Sequence, residues 1–281
     1  MVARDQAARY DVTAGAKSIF PVVFDAAWGP GAQRLLHSGE RQPDIERGTT
    51  PRSTRAVRLA TVLPDILASV PAGDRDLAAQ MLHVPVVSAR DEDLAEVIGT
   101  QIPDAFDFLI VDGVVIKQTV LHRRAALELL GAGDVLAPPL TAIRQIESRS
   151  LSRYLAHGPV SLAALETHFR MAVRRWPDMS DFLYDRLGQQ THRASMHLAM
   201  LHLPRVEDRI TALFADLAER FGRMSGDSVL VDLPLTHDLI GGLVGSRRPT
   251  VSLALHKLSA DGTLESHEGN RWTLAPRILS A

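Results

Sequence analysis

The sequence contains no cysteine. Disulfides, thiolate zinc sites, cysteine-ligated iron–sulfur clusters and cysteine nucleophiles are therefore excluded. Long apolar runs are also missing, since no window approaches the roughly 18 apolar residues of a membrane span. The amino-terminal stretch carries charges in place of the apolar centre of a secretion signal. We therefore expect a cytoplasmic protein with no membrane partner.

Neither sign of charge dominates, because 31 basic side chains stand against 33 acidic ones and the formal net charge is -2. This balance excludes a histone-like or coat-like nucleic-acid binder. It does not exclude a DNA-binding protein, which needs only a local basic face. The length of 281 residues, of which 46% are hydrophobic, indicates globular composition and two domains, or one domain with a long extra segment.

The first part of the chain lacks a regular apolar pattern. Residues 1–54 have scattered charge, proline and glycine, and we interpret them as a poorly ordered tail. From Ala56 onward, apolar residues recur at helical intervals, and Leu77, Met81 and Leu82 continue the pattern. This pattern predicts short helices.

The middle of the chain is predicted to be rich in β-strands. Residues 107–111 run into Asp112 and Gly113, the strongest two-residue hairpin signal, and the partly alternating residues 114–121 follow. Short strands joined by tight turns, without long helices between them, indicate an antiparallel roll or barrel. The remaining signals are turns at His122–Arg124 and Gly131–Asp134, strands between Leu151 and Leu165, and a helix that Pro177 closes.

A long amphipathic helix is predicted between Asp181 and Leu203. Its apolar stripe has spacings of 4, 4, 3, 4 and 3 residues, with a threonine as the weak member. Periodicity alone allows equally a core helix of its own domain and a seam between two subunits. The stripe consists of Leu183, Leu187, Thr191, Ala194, Leu198 and Leu201.

The sequence after Pro204 predicts a small DNA-binding module. Residues 206–222 form a helical pattern, residues 229–233 a strand, and two short helical stretches precede a hairpin around residues 267–270. The order helix, strand, helix, turn, helix, hairpin is that of a winged helix-turn-helix. The apolar side of its first helix consists of Ile210, Leu213, Phe214, Leu217 and Phe221.

The two helices of the helix-turn-helix have recognisable ends. Thr236 suits the cap of the first helix, and Gly245 suits its end because glycine tolerates positive φ. Ser246 is expected to cap the second helix, which places Pro249 at the third helical position, where its missing N–H breaks no bond. The apolar face of the first helix consists of Leu239, Ile240, Leu243 and Val244.

The second helix presents two different faces at 100° per residue. The core face is Val251, Ala254, Leu255 and Leu258. The opposite face, called here the reading face, is Arg248, Pro249, Ser252, Leu253 and His256. It is expected to enter a major groove, where an arginine near the helix start can pair with guanine O6 and N7. The flanking residues suited to phosphate contacts are Arg247, Thr250 and Lys257.

The local charge is modest. Between Thr236 and Leu258, three basic residues stand against one acidic residue, which gives +2. One copy of such a module would bind DNA weakly. A functional protein would therefore need two copies held together, which favours the subunit seam for the 181–203 helix.

The stretch from Leu235 to Ser266, together with the preceding helix, resembles the cyclic-AMP receptor protein/Fnr (Crp/Fnr) family of bacterial transcription regulators. The resemblance covers about the last hundred residues well, and the middle is similar to the family's double-stranded β-roll with its Leu-Gly-x-Gly-Asp turn. Residues before Ala56 have no counterpart. The resemblance implies an α+β fold and a homodimeric regulator, with double-stranded DNA and RNA polymerase as partners. The implied domains are a β-roll similar to cyclic-nucleotide-binding jelly rolls at 55–180, a dimerisation helix at 181–203 and a winged helix-turn-helix at 204–281.

The resemblance also assigns individual roles. Arg248 stands at the family's base-reading arginine, while Pro249 replaces a frequent glutamate and Leu253 a frequent second arginine. These departures argue against the family's usual operator sequence, and not against DNA binding. Leu253 could instead touch a thymine methyl group. Arg247 and Thr250 match positions that typically meet phosphates.

The effector of the β-roll is unknown. Cyclic-nucleotide members carry a Gly-Glu-Leu run after the Gly-Asp turn, but here two prolines follow Asp134, and only Arg149-Ser150 matches the family's later Arg-Ser pair. Cyclic AMP is therefore not expected, and Arg149 is expected to be a solvated surface residue. A β-roll that binds no effector, leaving a constitutive DNA-binding protein, is an open alternative.

The histidines show no metal-ligand spacing. His192 and His197 are five apart on the long helix, and His157 and His168 also lack a suitable pattern. We expect each to be a polar surface residue or a subunit contact, and we expect no metal and no catalytic residue. A cupin-like barrel enzyme with a regulatory C-terminal domain is the other alternative, although the strand region 107–136 offers it only one histidine, His122.

Overall fold

Antiparallel pairing organises the computed structural model, which describes residues 55–101, 105–121, 124–136 and 150–275. The tail predicted at 1–54 lies outside these residues. The strands are β1 (Arg55–Arg58), β2 (His83–Arg90), β3 (Asp107–Leu121), β4 (Arg124–Leu130), β5 (Val135–Leu136), β6 (Ser150–Leu165), β7 (Gly222–Ser225), β8 (Ser228–Val231), β9 (Leu264–His267) and β10 (Arg271–Leu274). One sheet has the order β1-β2-β6-β3-β4, with β5 paired to β3, and the other has the order β7-β8-β10-β9.

The helices confirm the predicted long helix and the predicted helix pair near the C-terminus. They are α1 (Leu59–Val62), α2 (Arg75–Met81), α3 (Leu94–Gln101), α4 (Thr167–Arg175), α5 (Met179–Leu201), α6 (Val206–Phe221), α7 (His237–Leu243) and α8 (Arg248–Ala260). The helical pattern predicted from Ala56 begins only at Leu59, because residues 55–58 pair with β2 as a strand. No helix in the described ranges is both long and apolar enough to cross a bilayer.

Strand β3 corrects the hairpin predicted at Asp112 and Gly113. The strand continues through these residues and pairs with β6 along its length, with register shifts on both sides of Asp112. Gly113 has a φ of +91°, and a Cβ at this position would lie 2.2 Å from the carbonyl oxygen of Pro159. The dipeptide therefore forms a β-bulge, because the positive φ that suits a tight turn also suits a bulge, and pairing with a distant strand decides between them.

We predict that Gly113→Ala destabilises the protein by more than about 2 kcal/mol, since it combines a backbone strain of about 1–2 kcal/mol with a steric clash against a paired strand. Gly158→Ala is the matched control, because Gly158 also has a positive φ, +74°, but a Cβ added to it would have nothing within 4 Å. Urea denaturation measures both costs. Equal losses of unfolding free energy in the two variants would contradict the clash.

The other turns of the middle region agree with the sequence pattern. Strands β3 and β4 pair antiparallel as far as Leu121 and Arg124, which agrees with the turn predicted at His122–Arg124, and residues 122–123 themselves lie outside the described residues. The turn from Gly131 to Asp134 is closed by a hydrogen bond from the Asp134 amide to the Gly131 carbonyl, at 3.0 Å. Strands β1 to β6 with helices α1 to α4 are called the β-roll below.

Apolar side chains of the described residues fill three cores. The first packs α1, α2, α4 and the start of α5 against the β-roll strands, and includes Leu59, Phe169 and Phe182. The second is enclosed by β-roll strands and α3 and includes Phe108. The third joins one face of β3, β4 and β6 to helices α6, α7 and α8 and strands β8 to β10, around Phe214. The elements from α6 to β10 are called the C-terminal module, and their core is continuous with the β-roll.

A glycine-rich turn ties the β-roll to both long helices. Asp134, only 4% exposed, forms ion pairs with Arg193 of α5 and Arg220 of α6. One residue further along the chain, the backbone of Val135 exchanges two hydrogen bonds with the Gln190 side chain of α5, each at 3.3 Å. The turn therefore fixes the position of α5 and α6 relative to the β-roll.

Candidate nucleic-acid interface

Helix α7 begins and ends as the sequence predicts. The Thr236 hydroxyl accepts a hydrogen bond from the Leu239 amide at 3.2 Å, which is the predicted N-cap. The predicted apolar face of α7 is buried, including Ile240. Gly245 has a φ of +63° and carries the chain into the turn. The helix is therefore both capped and anchored by its apolar side.

The start of helix α8 differs by one residue from the expectation. Ser246 does not cap it, because its amide donates to the Gly241 carbonyl at 2.8 Å and so belongs to the turn. Arg247 occupies the N-cap position without a side-chain cap, and its carbonyl accepts from the Val251 amide. Pro249 consequently lies at the second helical position, where a missing N–H also breaks no helical bond.

The two faces of α8 are separated as predicted. The core face is buried in the third core and consists of Val251, Ala254, Leu255 and Leu258. On the reading face, Leu253 is 59% exposed and the Arg248 side chain is 57% exposed. Pro249 and His256 are also exposed and Ser252 is half-buried. The flanking residues Arg247, Thr250 and Lys257 are all exposed.

A carboxylate from α7 lies beside the reading-face arginine. The Asp238 Oδ2 is 3.8 Å from the Arg248 Nε, and Asp238 is the more buried of the two side chains. An exposed pair of this kind contributes little to stability. It does, however, place a carboxylate beside the arginine near the helix start while more than half of the Arg248 side chain stays exposed.

Two further contacts on α8 have no local signal in the sequence. His237 Nδ1 lies 2.9 Å from the Ser252 hydroxyl, and burial, together with the nearby Arg248, lowers the pKa of the His237 imidazole. Lys257 forms an ion pair with Glu207 of α6 at 2.7 Å, and hydrogen bonding from that lysine lowers the pKa of the Glu207 carboxyl. The lysine that was predicted to meet a phosphate is thus already restrained by a carboxylate.

The small sheet of the C-terminal module, which contains the β9–β10 hairpin, carries two basic residues that the sequence pattern does not indicate. Arg271 of β10 and Arg223 of β7 both lie close to Asp232, at 3.8 Å and 3.6 Å between charged atoms. All three side chains are about half-exposed or more. The hairpin follows α8 directly, but only the folded sheet brings these residues together, so spacing along the chain could not reveal them.

The stripe on α5 is exposed only in its central part. Leu187 is 45% exposed and Leu198 is 60% exposed, and Ala194 is exposed as well. The two ends of the predicted stripe are partly buried within the chain itself, since Leu183 packs against the first core and Leu201 against the third. Exposed apolar residues in the middle of a helix whose ends are packed are typical of a surface that another protein surface buries.

Of the four histidines considered above, two lie on the surface and two are partly buried. His192 and His168 are exposed. His157 and His197 are instead partly buried, and burial lowers the pKa of both imidazoles. Their neighbours are distant in the sequence, Pro234 for His157 and Leu243 for His197, and no helical or strand periodicity reports such neighbours. A subunit contact by any of the four histidines stays a prediction.

The structure bears on the metal prediction and on the effector prediction to different extents. Within the described ranges, no group of three or more histidine, cysteine, aspartate or glutamate side chains could hold a metal ion. The predictions about the prolines after Asp134 and about Arg149 fall outside the described residues. That cyclic AMP is not bound therefore stays a prediction.

The C-terminal module matches a known family model. The model described as a Crp-like helix-turn-helix domain matches residues 208–277. The chain is also similar to the CRP-like cAMP-activated global transcriptional regulator of Mycobacterium tuberculosis, with 36% identity over 90 residues. This match covers 31% of the chain and 40% of that relative's length, so the chain spans less than half of that relative.

Solved structures resemble the chain over a larger share of its length. A cyclic nucleotide-binding domain containing protein from Listeria monocytogenes EGD-e superposes with a TM-score of 0.59 at 16% identity, over 79% of this chain and 100% of that one. A CooA mutant from Carboxydothermus hydrogenoformans gives a TM-score of 0.55 at 18% identity, over 78% and 92%. These likenesses confirm the predicted fold class of a β-roll followed by a long helix and a winged helix-turn-helix.

Proposed function

We propose, taking the confirmed resemblance to the Crp/Fnr regulators as the premise, that this chain is a homodimeric, sequence-specific DNA-binding transcription regulator. The observation that carries the proposal is the division of α8, which exposes Arg248 and Leu253 while its opposite face is buried. A helix held in this way can enter a major groove without losing its core. RNA polymerase is the further partner that such a function implies, and the chain itself carries out no chemical step.

Base reading is assigned to the start and middle of α8. Arg248, restrained by Asp238, can pair with guanine O6 and N7, and Leu253 can contact a thymine methyl group one turn and a half further along. Pro249 offers no hydrogen bond from its side chain. The expected operator therefore has a guanine and a thymine in each half-site, and it differs from sequences that a glutamate and a second arginine would select.

The second copy of the module is supplied by pairing of α5. The central stripe of Leu187, Ala194 and Leu198 is exposed in the single chain, and covering it with the same helix of a second subunit would bury all three. Two copies of α8 could then reach successive major grooves about 34 Å apart. In this proposal, residues 55–180 are the sensor-like unit, 181–203 the dimerisation helix and 204–281 the DNA-binding unit.

Substitution of the base-reading arginine tests the assignment. We predict that Arg248→Ala costs about 1–3 kcal/mol of binding free energy per half-site and relaxes the preference at one base pair, because one bidentate contact is lost. The measurement is selection of bound sequences from a random duplex pool, followed by titration of the selected operator. The unsubstituted protein is expected to select a palindrome with half-sites one helical turn apart.

Arg247→Ala is the matched control for this experiment, since Arg247 is the adjacent arginine and is assigned to the phosphates. Its loss should weaken binding evenly across sequences and reduce the dependence on salt. An identical selected consensus for Arg248→Ala and the unsubstituted protein would overturn the assignment of Arg248. If no duplex sequence is enriched by the unsubstituted protein, the proposed function itself fails.

A further inference from the structure

Two imidazoles lie at opposite ends of helix α7. His157 of β6 lies beside the backbone of Pro234, which precedes the helix, and His197 of α5 lies beside the backbone of Leu243, its last residue. Both histidines therefore connect the part of the chain that precedes the C-terminal module to the first helix of the helix-turn-helix.

The surface between these histidines is apolar. Leu127 and Leu129 of β4 and Ile116 of β3 share the third core with Leu239 and Ile240 of α7. Transfer of a charge into such surroundings is unfavourable unless the charge is paired. A proton gained by either imidazole would therefore act against the contact between α7 and the β-roll.

The charged groups around His157 offset its burial only in part. Burial is the largest influence on its pKa and lowers it, while the carboxylate of Asp91 and the nearby backbone of Pro234 act in the opposite direction. Asp91 also accepts a hydrogen bond from the Gly158 amide at 2.7 Å. Within the described residues, the Nε2 of His157 is buried without a hydrogen-bond partner. If Nε2 were protonated, its N–H would therefore have no acceptor among those residues.

His197 has more acidic neighbours but a similar balance. Burial lowers its pKa, and the carboxylates of Glu128 in β4 and Asp216 in α6 oppose this effect. Each of these carboxylates already has a cationic partner, because Glu128 pairs with Lys117 at 3.2 Å and Asp216 pairs with Arg220 at 3.3 Å. The neighbours are thus largely neutralised as pairs, and burial prevails.

We propose that the contact of α7 with the β-roll is a proton-sensitive latch, which holds the C-terminal module in one orientation while His157 and His197 are uncharged and releases it when they gain protons. The latch rests on the proposed function, because α7 shares the third core with α8, the helix assigned to base reading. Released modules would no longer be held in the fixed relation that two half-sites require.

The direction of the pH dependence follows from the lowered pKa values. In the released state each histidine has its ordinary pKa of 6.5, and in the latched state its pKa is lower. Between these two pKa values, the released state therefore binds more protons than the latched state. Latching is therefore at full strength above that ordinary value and weakens as the pH falls below it. Latching should not weaken further at a pH low enough for both imidazoles to be charged in the latched state as well as in the released state.

Hydrogen exchange of the full chain tests the latch without DNA. After correction for the intrinsic pH dependence of exchange, protection of α7 and of β4 should fall together by about tenfold between about pH 7.5 and about 5.5. The doubly substituted protein, His157→Gln with His197→Gln, should lose this pH dependence, because glutamine is a polar side chain of similar size that does not titrate. His192→Gln is the control on the exposed side of α5 and should behave as the unsubstituted protein.

The outcomes separate the latch from the proposed function. Protection of α7 that stays constant over the whole pH range, or that falls equally in the double variant and the unsubstituted protein, would refute the latch whether or not DNA is bound. With the selected operator, the ratio of affinities for a two-half-site duplex and a one-half-site duplex should fall about tenfold over the same range only when both histidines are present. Absence of DNA binding at every pH would refute the proposed function and leave the exchange result intact.

Discussion

Leu187→Glu combined with Leu198→Glu is expected to convert the protein from a dimer to a monomer of 30.7 kDa and to lower its affinity for a two-half-site operator by about 100-fold or more. The reason is that both leucines lie on the exposed part of the α5 stripe, at 45% and 60% exposure, and a carboxylate there would face its own copy across a two-fold axis. Light scattering coupled to size exclusion measures the mass, and titration with the selected operator measures the affinity.

Substitution elsewhere provides the control for this double variant. Leu77 and Met171 are also exposed apolar residues, at 42% and 52%, but they lie on α2 and α4, away from the stripe. Leu77→Glu with Met171→Glu should leave mass and operator affinity unchanged. Affinity for a duplex with a single half-site should survive in both double variants, since α8 is untouched. A dimeric Leu187→Glu, Leu198→Glu protein would rule out α5 as the seam.

The sequence predicts the elements whose cause is local. Thr236 caps α7 and Gly245 forms the turn after it because these positions depend on one hydroxyl and one positive φ, which the residue types reveal directly. The burial of Val251 and Leu258 opposite the exposed Leu253 likewise follows from the helical period alone. The exposure of the reading face could therefore be predicted before its surroundings were known.

Features that depend on distant parts of the chain could not be predicted in this way. The bulge at Gly113 is decided by pairing with the distant strand β6, and the burial of His157 is decided by packing against the segment before α7. Strand β2 lacks a clean alternation and carries Pro85, so its pairing with β1 and β6 was missed. In each case the deciding partner is tertiary, whereas the local pattern is ambiguous.

Asp134→Ala is expected to lower the free energy of unfolding by roughly 3 kcal/mol, the lower end of what removal of one partner from a buried ion pair costs. The carboxylate is almost fully buried and serves Arg193 and Arg220 at once, while its Oδ2 also accepts from the Gly131 amide at 2.8 Å. Without this carboxylate, the two guanidinium groups and the Gly131 amide would lose the acceptor that they share. Both guanidinium groups keep some contact with solvent, which is why the lower end of the range applies.

The chain offers a close control for Asp134, because Asp216 pairs with the same Arg220 from a position that is 41% exposed. Asp216→Ala should cost less than about 1 kcal/mol, as is usual for an exposed pair one helical turn apart. Chemical denaturation followed by circular dichroism compares the two variants. Since Asp134 also fixes α5 and α6 to the β-roll, its loss should raise hydrogen exchange at Val135 and along the middle of α5, and the Asp216 variant should not. Equal costs for the two variants would show that the buried carboxylate is not what holds the helices to the turn.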